Sequence, residues 1–233
     1  MKTVKKDKEI ILHSLMCSVG GLLAGYAILC RGNLGSAQTL NLIDIMLGIV
    51  GRNREEVIFR VFGAVIYILG IESYILIKEK TKINLRRYSV VTDMAGCVLL
   101  AFIPPEAEHV VGIMPLFYIL SIQWSVFRGT HGHNASTVFS TNNLYQLAHA
   151  ASYAVMKKSS SELIRTLYYL NTLFWFNANV ALSYFLVERF GMHASLFAFI
   201  YLVPAYIITF FDEKEHDREA RVQKEHERIR SSL

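Results

Sequence analysis

Twenty consecutive residues near the middle of this chain, Thr130 to His149, contain no Lys, Arg, Asp or Glu. They read THGHNASTVFSTNNLYQLAH, polar and glycine-punctuated, and two long apolar runs flank them. A loop facing bulk water rarely avoids charge so thoroughly. Cysteine is also scarce. Cys17, Cys30 and Cys97 are odd in number, widely spaced and set in or beside apolar runs, so they define neither a disulfide framework nor a zinc site. Neither H-E-x-x-H nor G-x-S-x-G occurs. Gly32 to Ser36, GNLGS, sets a serine beside glycine but has no assignable histidine partner. No enzyme chemistry and no cofactor are expected. The pair His131 and His133 has metal-like spacing, but no nearby carboxylate or cysteine completes a tetrahedral site, and no metal is expected there.

What is abundant is uninterrupted apolar sequence. Hydrophobic residues make up 53% of the chain, gathered in runs. About 20 helical residues cross the roughly 30 Å hydrocarbon layer of a bilayer. Candidate spans run over 11–30, 61–77, 88–103, 110–127, 166–187 and 192–211. Pro104 and Pro105 close the third, because proline removes a helix hydrogen bond. Met1 to Glu9 is basic ahead of the first run, like a secretory signal, but no A-x-A site follows, and the segment reads as an uncleaved first span. The net charge of +5 does not indicate nucleic acid, since the basic residues cluster at the ends of apolar runs.

The uncharged stretch has a weaker copy. Gly35 to Leu42 reads GSAQTLNL and Thr137 to Leu144 reads TVFSTNNL, so Thr39, Asn41 and Leu42 align with Thr141, Asn143 and Leu144 at an offset of 102. The same offset carries each of the first three spans onto a later one. The expected architecture is therefore all-α and polytopic, with about six transmembrane helices in two three-span repeats. Each repeat has a short re-entrant or broken helix after its first span. The boundaries expected are a basic N-terminus at 1–10, repeats at 11–105 and 106–211, and a charged helical tail at 212–233.

Charge counting sets the expected orientation. With six spans and both termini cytoplasmic, 19 Lys and Arg lie inside and 5 outside; with eight spans the count is 16 to 8. The positive-inside rule prefers six. Three spans per repeat would invert one repeat relative to the other, so the two motifs enter from opposite faces, a common transporter design.

At these motifs the chain resembles the YoaK-like family of small bacterial integral membrane proteins. The matching residues are Ser36, Gln38, Thr39 and Asn41, then Gln123, then Thr137, Thr141 and Asn143. The chain departs from the family pattern at Leu40 and Asn142, where a glycine is usual. The resemblance implies a multi-pass protein of the bacterial plasma membrane and supplies no activity.

Candidate solute-binding residues are Gln38, Thr39, Asn41, Asp44, Gln123, Thr137, Thr141, Asn142 and Asn143, whose hydroxyl, amide and carboxylate groups suit a small polar solute or ion. The competing reading is that Ser, Thr and Asn cap short helices. Glu72 and Asp93 lie inside apolar spans, where a carboxylate is costly, and are candidates for ion or proton coupling. Blander readings place Glu72 at the interface or against a nearby Lys, and pair Asp93 with Arg86 or Arg87. Two functions fit: a small secondary transporter or channel, or a non-transporting scaffold acting through its tail. The expected partners are the lipid bilayer, a small polar solute or ion, and a second copy of the chain in a homodimer.

Overall fold

The computed structural model describes residues 2–35, 38–51 and 54–211; the charged tail expected at 212–233, together with Ser36, lies outside the described residues. In order, the helices are α1 (Lys2–Arg31), α2 (Gln38–Gly51), α3 (Arg54–Lys80), α4 (Leu85–Phe102), α5 (His109–Gly112), α6 (Met114–Val126), α7 (Thr141–Lys157) and α8 (Ser160–Phe190). A 3-10 helix over Gly191–Ala198 follows, and then α9, helical over 199–211. There is no strand among the described residues.

Local sequence accounts for most boundaries. Asn84 caps α4 by accepting from the Arg87 amide at 3.1 Å, and Ser159 caps α8 by accepting from the Glu162 amide at 3.4 Å. Such caps satisfy amides that have no partner within the helix. Helix α4 stops at Phe102, one residue short of the expected end at 103, because a residue preceding proline is pushed into extended backbone, which Ile103 adopts. The expected fourth span, 110–127, is instead two helices, broken at Ile113. Pro115 accounts for the fresh start, since proline is well placed in a first helical turn.

Among the described residues, three segments are long and apolar enough to cross a membrane: Asp7–Arg31, Glu55–Lys80 and Ser160–Phe211. The last comprises α8, the 3-10 helix and α9, with Gly191 at φ 55° ending α8. Leu202 and Ala205 of α9 lie in the same buried cluster as Leu12, Met16 and Val90, so the chain turns back after Gly191 along α1 and α4.

Contacts fix the directions of the helices. Glu9 pairs with Arg86 at 3.9 Å where α1 and α4 begin, and Arg31 reaches the carbonyls of Pro104 and Pro105 just beyond the end of α4. The two helices therefore run the same way, from a near end to a far end. Helix α8 also runs with α1, since His13 meets Thr172, Gly21 meets Phe176 and Gly25 meets Ser183. Helix α3 runs oppositely, and α6 runs with it: Gly63 lies on the Phe117 ring and Gly70 on the Tyr118 carbonyl and Ser121. The packing is thus crosswise, α1 on α8 and α6 on α3. Both crossings depend on glycine. A Cβ at Gly21 would run into the Phe176 carbonyl, and one at Gly70 into Ser121.

Candidate functional site

The first part of the uncharged stretch, 130–140, belongs to an irregular segment, 127–140, between α6 and α7, and the rest, 141–149, opens α7. The irregular segment lies deep within the bundle. Gln123, fully buried, donates through Nε2 to the carbonyl of Met16 at 2.9 Å and to Thr137 Oγ1 at 3.0 Å, and the Thr137 carbonyl rests against Gly20. Met16 and Gly20 stand near the middle of α1. Non-helical backbone at that depth must find its hydrogen bonds within the protein.

Asn143 supplies several of them. Its Oδ1 accepts from the Ser136 amide at 2.9 Å, and its Nδ2 donates to the carbonyls of Ser136 at 2.7 Å and Phe139 at 2.9 Å. Ser136 Oγ accepts from the amides of Val138 and Phe139. From α8, the Tyr168 hydroxyl accepts from the Thr130 amide and the Tyr169 hydroxyl donates to the Asn134 carbonyl. Capping thus occupies the polar groups of Asn143, which are not available to a solute in this conformation. Thr141 and Asn142 are exposed, and Asn142 makes only a long 3.4 Å contact with the Asn134 carbonyl. Gln123 Oε1 and Ser140 Oγ remain buried without partners.

The first motif lies at the far end. Asn41, aligned with Asn143, is likewise buried; its Nδ2 donates to Gln38 Oε1 at 3.2 Å and to the Arg60 carbonyl at 3.0 Å, while its Oδ1 has no partner. Thr39 is exposed. Asp44 meets the Arg60 guanidinium at 2.9 Å, and Glu56, one turn before Arg60, meets it at 2.6 Å. Asp44 was a candidate to bind a polar solute or ion through its carboxylate, and the Arg60 guanidinium already pairs with it. A related clamp holds α7. Gln146, 102 residues after Asp44, accepts from Arg165 on α8, and Arg165 also pairs with Glu162 at 3.6 Å. Beside the first clamp an open cavity of about 550 Å³ is lined by Arg31, Asn33, Glu55, Phe59, Arg60 and Glu108, among others.

The two carboxylates of the apolar runs part company. Glu72 is exposed on α3 and makes no ion pair among the described residues. Asp93 is 0% exposed on α4, and neither carboxylate oxygen has a hydrogen-bond partner. The expectation that Asp93 pairs with Arg86 or Arg87 is not met, and Arg86 instead reaches Glu9.

Arg31, Arg60 and Arg165 are the structural residues that the sequence reading missed. Arg31 is 2% exposed and donates to the carbonyls of Pro104, Pro105 and Ala107 at 2.8 to 2.9 Å. An arginine closing an apolar run with no acidic residue near it in sequence was the available signal. His133 leans on the Tyr168 ring at 4.9 Å and His131 is exposed, and no cluster suited to a metal occurs among the described residues.

With this geometry in hand, the comparisons with known proteins are brief. Residues 12–209 match the family model described as protein of unknown function (DUF1275). The chain belongs to the DUF1275 family. That domain family takes in the YoaK family. No curated protein and no solved structure matches the chain.

Proposed function

We propose that this DUF1275 chain is a small YoaK-like secondary transporter or channel of the bacterial plasma membrane, moving a small polar or ionic solute. It crosses the bilayer six times as two inverted three-span halves, with both termini cytoplasmic. The spans are α1, α3, α4, the broken pair α5 and α6, α8, and α9. The solute path runs between the two polar motifs, with Gln123, Thr137 and Gln38 facing it and the arginine clamps holding α2 and α7 at its two mouths.

The observation that carries this reading is the irregular polar segment at mid-depth, where Thr137 and Gln123 meet the middle of α1. Broken helices near the midplane are where transporters bind solutes, because freed backbone and side-chain groups collect there. The opposed directions of α1 and α6, and of α3 and α8, support the inversion. So does the placement of α2 at the far end and α7 at the near end.

The test begins with topology. Single cysteines at Glu55 and Lys157, with Cys17, Cys30 and Cys97 replaced, are labelled by a membrane-impermeant thiol reagent from each side. Label must reach the two positions from opposite faces; label from one face would sink the inverted arrangement. Uptake of a panel of small polar solutes into vesicles holding the protein, compared with Asp44→Asn, then tests transport itself. No uptake of any solute above empty vesicles would leave the scaffold reading in its place.

A further inference from the structure

Four of the unpartnered buried polar atoms among the described residues lie on two facing stripes. On α4 they are both oxygens of Asp93 and, one turn earlier, Ser89 Oγ; on α6 the atom is Gln123 Oε1. All three residues are 0% exposed. Helices α4 and α6 run in opposite directions, and Gly96 of α4 packs on Ile119 of α6. Asp93 lies one turn from Gly96 toward the near end, and Gln123 lies one turn from Ile119 in the same direction. The register therefore brings Asp93 and Gln123 to one level on contacting faces.

Every orphan at this level can accept a hydrogen bond, and none but a hydroxyl can donate one. The Gln123 donors are already used, on Met16 and Thr137. An ionised carboxylate here would have no cation and at most the Ser89 hydroxyl as a donor, a costly arrangement in a protein interior. A single proton on Asp93 changes this, because the carboxyl then carries a donor, and Gln123 Oε1 at the same level is an acceptor without one. Among the titratable groups on α4 and the elements packed against it are Cys97 on α4, Tyr88 and Tyr118 with hydroxyls 3.4 Å apart on the α4–α6 seam, His193 on the 3-10 helix and Glu72 on α3. None of them forms an ion pair with Asp93 among the described residues.

We infer that Asp93 is an exchangeable proton site whose state Gln123 transmits to the second polar segment. The step is proton exchange with water: the carboxyl O–H bond breaks, its electron pair stays on the carboxylate, and the proton passes to a water oxygen. Asp93 is closed to water in this conformation, so exchange requires the α4–α6 seam to open. After the proton leaves, carboxylate and Gln123 Oε1 face each other as two acceptors, and the Gln123 amide must turn. Its bonds to Thr137 and Met16 break with that turn. The proton site itself stands apart from transport; its coupling to a solute rests on the reading proposed above.

Infrared spectra of the full chain in lipid vesicles test this directly. At neutral pH the wild type is expected to show the C=O stretch of one protonated carboxyl per chain, sensitive to deuterium exchange. Asp93→Asn removes that band, and Gln123→Leu shifts it to higher frequency by removing the acceptor. Absence of the band, or its persistence in Asp93→Asn, overturns the proton site. Loss of the band on adding sodium at constant pH also overturns it, by showing an alkali cation in its place. A band that ignores Gln123→Leu overturns the link to the polar segment, and this variant carries the test if Asp93→Asn does not fold. The band present with no solute uptake leaves the proton site standing and removes the transport reading alone.

Discussion

Asp44 on α2 and Gln146 on α7 each accept from an arginine on the following long helix, Arg60 in one case and Arg165 in the other. The two clamps stand at opposite ends of the bundle and differ by one charge. Arg60 has two carboxylates, Asp44 and Glu56, whereas Arg165 has Glu162 and a neutral amide.

That difference sets the first prediction. A double-mutant cycle of Asp44→Asn and Arg60→Gln should give a coupling of about 1–2 kcal/mol, since the Arg60 side chain is only 12% exposed. Gln146→Ala with Arg165→Gln should couple at about half that. Thermal unfolding in lipid or detergent measures both cycles. Equal couplings would mean that the extra carboxylate on the Arg60 side adds nothing.

Asn143→Ala removes three hydrogen bonds to the irregular segment and leaves the buried Ser136 amide unpaired. The expected loss is about 2–3 kcal/mol, with faster proteolysis at 127–140. Asn143→Asp retains the acceptor for that amide but loses both donors, so at neutral pH it should be no better than alanine. Thermal unfolding and limited proteolysis of both variants check the order.

Gly21→Val should prevent α1 from closing on α8, because the new side chain meets the Phe176 backbone, which cannot step aside. Gly51→Ala is the control, with open space where its Cβ would go. The first is expected to abolish the monodisperse peak in size-exclusion chromatography and the second to leave it unchanged. A folded Gly21→Val chain would disprove the close crossing.

Arg31→Lys keeps the charge and loses the planar fork that spans three carbonyls at the end of α4. A lysine cannot reproduce that geometry. A destabilisation of about 2 kcal/mol is expected, read as a lower thermal midpoint. An unchanged midpoint would show that the carbonyls find other donors.

Much of the fold was legible in the sequence. The apolar runs correspond to α1, α3, α4 and α8, since long uninterrupted apolar sequence has few other uses, and Pro104 marks the end of α4. The break at Ile113 was missed although Pro115 marks it, because the apolar run itself continues on both sides of that proline. At the site, the alignment of Asn41 with Asn143 pointed to two buried amides, but their partners are backbone groups that no sequence pattern names. Arg60 escaped notice because it meets Asp44 across a helical hairpin, 16 residues away. Asp93 was noticed for its type, while its lack of any partner depends on three-dimensional packing alone.

The crosswise packing of α1 on α8 has a consequence for the order of events during synthesis. The glycine face of α1 is made first, but its cover, Phe176 to Ser183, emerges about 150 residues later. At about 5–20 residues per second, the nascent chain holds an unfilled groove in the bilayer for on the order of ten seconds. A chain stopped by a premature termination codon before Phe176 would keep that groove open for good. The quality-control proteases of the membrane would then meet a first helix with nothing to rest on.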